Sequence, residues 1–80
     1  MKLSVTVTRD DIRLGKTYDE CNCPIARAIK RQYKTKAVCV RGDDGNIDGR
    51  EVLFPKAAET FIRRFDLGRP VKPFTFLATL

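Results

Sequence analysis

Apolar and hydroxylic residues alternate along Leu3-Ser4-Val5-Thr6-Val7-Thr8 with a period of two, the mark of a strand with one face in a core and the other in water. A different rhythm begins at Pro24. Ile25, Ala28, Ile29, Gln32 and Tyr33 recur at spacings of three and four, which predicts a helix with one apolar stripe, ending near Lys34. Pro24 suits the first helical position, because its ring fixes φ and its missing N–H would have no partner there; Cys23 or Asn22 then becomes the cap. Residues 9–16, with Asp10-Asp11-Ile12 and Gly15, suit a short turn of helix or a loop. Ala37-Val38-Cys39-Val40 is a short β-branched run and reads as a strand.

The stretch Gly42-Asp43-Asp44-Gly45-Asn46 tolerates positive φ and reads as a hairpin tip. Asp48-Gly49 supplies a bulge there or is itself the turn. Glu51-Val52-Leu53-Phe54 returns as a third strand, antiparallel to the second. Pro55 opens another helix, with Ala58, Phe61, Ile62 and Phe65 at i, i+3, i+4 and i+7 and Gly68 placed for a left-handed cap. Glu59 and Arg63 are spaced to pair on its solvent side. The alternating stretch Val71 to Leu80 is a fourth strand that begins at a sheet edge or pairs only after Pro73. The order β-α-β-β-α-β predicts a single α+β domain over residues 1–80: a four-stranded, mainly antiparallel sheet with two helices on one face, in a ferredoxin-like arrangement.

Composition bounds what such a domain does. Eighty residues, 42% of them hydrophobic, fill one core and no second. The opening MKLSVTVT lacks the apolar run of a secretory signal, and no stretch of about eighteen apolar residues is present to span a bilayer. The expectation is a cytoplasmic protein of a bacterial host cell with no membrane partner. Three cysteines cannot all pair within the chain, so reduced thiols in a reducing compartment are expected.

The net charge of +6 is local. Between Pro24 and Gly42 lie Arg27, Lys30, Arg31, Lys34, Lys36 and Arg41 and no acid, while the other ten cations balance the ten acids. Arg27, Lys30, Arg31 and Lys34 also follow helical spacing, on the side opposite the apolar stripe. An all-basic helix face of this kind attracts phosphate or an acidic protein surface, and could track a nucleic-acid backbone by releasing counterions. Interleaved aromatics for stacking bases are missing, which disfavours an RNA-recognition-motif reading.

Enzymatic chemistry finds little support. The chain has no histidine, which removes Cys-His pairs, Ser-His-Asp triads and imidazole metal ligands. Cys23, at a helix N-terminus, is a possible reactive thiol. Cys21, Cys23 and Cys39 would need a fourth ligand to hold zinc. Asp44-x-Asn46-x-Asp48-Gly49 matches half of a calcium loop, but Pro55 stands where the closing Glu belongs. No phosphate-cradling glycine loop occurs, and no cofactor or metal is expected.

Cys23-Pro24-Ile25-Ala26, with Phe61-Ile62-x-x-Phe65-Asp66-x-Gly68 and Val71-x-Pro73-Phe74-x-Phe76, resembles small uncharacterised proteins encoded by bacteriophages and prophages. The resemblance implies a mobile-element origin and a binding role rather than catalysis. The expectation is therefore a non-enzymatic module that contacts nucleic acid or a nucleoprotein through Arg27, Lys30, Arg31, Lys34, Lys36 and Arg41. The alternatives are a protein–protein binder that blocks or recruits a host factor, and a thiol or metal protein using Cys23. A homodimer would hide the edges of a small sheet.

Overall fold

In the computed structural model, which describes Met1–Leu80, the alternation at the start of the chain becomes β1 (Lys2–Val7), with Val5 and Val7 buried and Ser4 and Thr6 exposed. Thr8 then caps α1 (Arg9–Leu14). Its Oγ1 accepts the Asp11 N–H at 3.2 Å while the Asp11 carboxylate accepts the Thr8 N–H at 2.9 Å, a reciprocal capping box. The second helix, α2 (Pro24–Tyr33), starts as Pro24 dictates, with Cys23 as its cap, and stops at Lys34, whose φ of +52° is left-handed. Ile25, Ala26, Ala28 and Ile29 are buried along it.

Three strands follow, not two: β2 (Val38–Val40), β3 (Asp44–Ile47) and β4 (Arg50–Leu53). The polar stretch read as a hairpin tip is itself a strand. Asp48 and Gly49, at φ +51° and +82°, form the two-residue turn between β3 and β4, the geometry that matches strand twist. Gly45 faces Val40 across the ladder, and a Cβ there would collide with the Cys39 carbonyl and the Phe54 ring. The expected four-stranded sheet with two helices is thus corrected to five strands and three helices. The strand after the turn neighbours β3 rather than β2.

Helix α3 (Lys56–Asp66) buries Ala58, Phe61 and Ile62 and ends where Gly68 adopts φ +76°. Pro55 is its cap. The expected Glu59–Arg63 pair does not form, since the ion pairs are Arg13–Asp10, Arg31–Asp11 and Arg41–Asp44. The last strand, β5 (Phe74–Thr79), pairs only after Pro73 and lies inside the sheet, antiparallel to β1 from Lys2↔Thr79 to Val7↔Phe74. Phe74 joins the core through rings at 4.8 Å from Phe61 and 5.2 Å from Phe76.

The sheet order is β1-β5-β4-β3-β2, with every neighbouring pair antiparallel. β1 and β2 therefore lie at opposite edges, yet α2 packs against both, so the sheet curls around this helix. The fold is α+β with the helices on one side of the sheet. Side chains of α2 also occupy the outer edge of β1: Gln32 accepts the Thr6 N–H at 2.6 Å, Tyr33 donates to the Ser4 carbonyl at 2.6 Å, and Arg31 donates to the Thr6 carbonyl at 2.8 Å. On the other side the Val40 N–H donates to the Glu20 carbonyl at 2.8 Å. Part of each open edge that prompted a homodimer is thus already partnered within the chain.

Asp11 is the one buried acid, and its carboxylate accepts from Thr8 and, at 2.9 Å, from Arg31. Burial alone would raise its pKa, but the bonds from Arg31 and Thr8 outweigh it and hold the carboxyl below the usual carboxylate range. A depressed folded-state pKa stabilises the fold above the unfolded value near 4, and that contribution is lost as pH falls through the folded value. Asp11→Asn is expected to cost about 1–3 kcal/mol at pH 7. Urea melts from pH 7 down to pH 3 should show the gap between variant and wild type narrowing. Gly45→Ala is expected to cost about 1–3 kcal/mol through overpacking in the same assay.

Candidate nucleic-acid interface

Arg27, Lys30 and Arg31 lie on α2 and Lys34 at its left-handed cap, but the four do not form one free surface. Lys30 Nζ donates to the Cys21 carbonyl. Arg31 is divided between Asp11 and the edge of β1. Arg27 is half-buried, with its Nε out of water and without a hydrogen-bond partner. Lys34 is exposed and makes no ion pair, and so is Lys36 beyond the helix end. Arg41, in the turn after β2, pairs with Asp44 at 3.4 Å.

The outward all-basic face expected from the sequence is corrected to a mixed one. The reason is local supply: the β1 edge and the loop before Pro24 present carbonyls, and α2 carries the nearest donors. Charge survives these bonds unequally. A carbonyl does not neutralise Lys30, whereas Asp11 and Asp44 offset Arg31 and Arg41. Arg27, Lys30, Lys34 and Lys36 remain without a paired acid.

Sequence reasoning passed over a second group. Arg63 and Arg64 at the end of α3, with Arg69 and Lys72 before β5, are all exposed and unpaired. Arg64 and Lys72 line a cleft of about 270 Å³ beside Phe61 and Phe74. The signal was present in the chain, because only Asp66 interrupts these cations, but balancing all acids outside Pro24–Gly42 against all cations concealed it.

The cysteines divide differently from expectation. Cys21 and Cys39, 18 residues apart, are joined as a disulfide, which corrects the reading of three reduced thiols. The bond fastens the loop before α2 to edge strand β2, next to the Glu20–Val40 hydrogen bond. Cys23 is the free cysteine and is 3% exposed. Its Sγ accepts the Ala26 N–H at 3.4 Å. Burial pushes this thiol up, against the opposing pull of the Ala26 and Ile25 N–H groups. The helix terminus that was expected to activate Cys23 instead employs it as a buried cap. No group of three or more His, Cys, Asp or Glu comes together to hold a metal.

No helix is long and apolar enough to cross a membrane. No protein-family model, no curated protein and no solved structure matches the chain. The functional reading rests on its own residues.

Two outcomes follow from the cysteine arrangement. Reducing the disulfide, or the double variant Cys21→Ser/Cys39→Ser, is expected to lower stability by about 2–4 kcal/mol in denaturant melts. Cys23 in the native protein should resist iodoacetamide at neutral pH and react at the rate of an ordinary thiol once urea unfolds the chain.

Proposed function

We propose that this chain is a non-enzymatic binding module, of the phage accessory kind its motifs resemble, that holds nucleic acid along the basic side of α2. The observation that carries the reading is the set Arg27, Lys30, Lys34 and Lys36, four cations within ten residues that no acid neutralises. Arg31 and Arg41, each already paired, lie at its margin. The free ammonium groups of Lys34 and Lys36, on long stems just past the helix end, suit phosphates, whose position rather than identity they read, and Arg27 and Lys30 add positive charge behind them. Aromatic stacking groups are absent from α2 beyond Tyr33, whose hydroxyl is engaged at the β1 edge. The contact is therefore with a duplex backbone or a nucleoprotein rather than with splayed bases.

Binding through four phosphates should weaken with salt at a slope of about −3.6 in log K against log salt. Fluorescence anisotropy with a labelled duplex of random sequence, measured from low to physiological salt, checks this. Lys34→Glu/Lys36→Glu should reduce affinity at least about tenfold at low salt while leaving the fold intact, since neither side chain makes a structural bond. Affinity indifferent to ionic strength, or unchanged in that variant, overturns the reading.

A further inference from the structure

A groove distinct from the α2 cations lies between the loop before α2 and α3. Two adjoining cavities of about 230 Å³ and 390 Å³ meet between the loop before α2, the turn after β2, and α3. They share Tyr18, Gly42, Ile62 and Asp66. The floor is apolar, built from Cys23, Val40 and Ile62, all buried in the core. Tyr18 stands beside it 73% exposed, at φ +55°, with its N–H donating to Asp66 Oδ1 at 2.9 Å. Leu67, 57% exposed, closes the far end.

The walls carry charge of the opposite sign to the whole chain. Of ten acids, three are in ion pairs (Asp10, Asp11 and Asp44), leaving seven, and four of those seven, Asp19, Glu20, Glu59 and Asp66, line this groove. Two cations accompany them. Arg41 is committed to Asp44, and Arg63 leaves Glu59 unpaired although it is one turn away. A chain with sixteen cations thus keeps its largest set of unneutralised carboxylates on one apolar-floored groove. The disulfide and the Glu20–Val40 hydrogen bond fix the wall that carries Tyr18, Asp19 and Glu20, so an occupant would meet a preformed surface.

From this charge complementarity we infer that the groove docks a basic segment of a partner protein, distinct from the nucleic acid proposed for α2. An arginine or lysine stem from that segment lies along Ile62 and Val40, as amphipathic side chains do on apolar surface. Its head meets Glu20, Glu59 and the remaining oxygen of Asp66, with the exposed Tyr18 ring as a cation–π face. Nucleic acid is repelled here by the same carboxylates. The module then has two recognition surfaces of opposite sign, one for phosphate and one for a basic protein.

The test is a ¹⁵N chemical-shift titration of the oxidised full chain with a capped tetrapeptide alternating leucine and arginine, and with its leucine–glutamate counterpart as control. The basic peptide should shift the amides of Tyr18, Glu20, Gly42, Ile62 and Asp66, and the acidic one should not. In Glu20→Gln/Glu59→Gln, which touches no structural hydrogen bond, affinity for the basic peptide should fall by about fivefold; Tyr18→Ala should weaken it independently. Equal binding of both peptides, shifts centred elsewhere, or unchanged affinity in the Gln variant overturns the inference. So do groove shifts that grow with protein concentration without peptide, which would assign the groove to a second copy. Because duplex binding through Lys34 and Lys36 is measured separately, either surface can fail without the other.

Discussion

The seat of α2 between the two edge strands is the constraint on which the rest of the structure depends. β1 with β5 forms one antiparallel ribbon and β2, β3 and β4 form another, and the two are joined in the sheet at a single register position, Leu53↔Thr79. Such a junction is too narrow to set the curl. α2 sets it, burying Ile25, Ala26, Ala28 and Ile29 against both ribbons at once. The Phe54–Phe76 edge-to-face contact at 6.0 Å supports the junction from within the core.

That position governs the chemistry on offer. A helix wedged between strand edges must satisfy the backbone groups it meets, so Arg31, Gln32 and Tyr33 turn to β1 and Lys30 to the loop before Pro24. Of the cations left over, Lys34 and Lys36 sit past the helix end, and Arg27 stays half-buried near its start. The groove beside Tyr18 follows the same logic with the sign reversed. Lys30 is drawn to the loop carbonyl, Arg31 to β1 and Asp11, and Arg41 to Asp44, so none of them pairs with the carboxylates around Tyr18.

Much of this was legible in the chain wherever one period dominated. β1, α2 and α3 each have a pattern long enough to repeat and a terminus marked by proline, threonine or glycine. β3 was not legible, because Asp44-Gly45-Asn46-Ile47 has almost no apolar content and its strand conformation comes from its neighbours: Gly45 is there because Phe54 and Cys39 leave no room for a Cβ. The disulfide escaped for a related reason. An odd cysteine count says nothing about which two thiols a fold brings together, and Cys39 reaches Cys21 only once β2 has become an edge. For the candidate site, helical spacing located the cations correctly but could not show that carbonyls from another element would claim some of them.

The position of β5 has a consequence for how the molecule comes into being. This strand follows every other element in the chain yet occupies the interior of the sheet, with β1 on one flank and β4 on the other. The meander of β2, β3 and β4 can close on itself, but β1 has no strand partner until β5 arrives, and its backbone groups on that side stay unpaired until then. The native sheet order is therefore completed only when β5 docks, and the interval before it does is when the chain is most open to wrong partners.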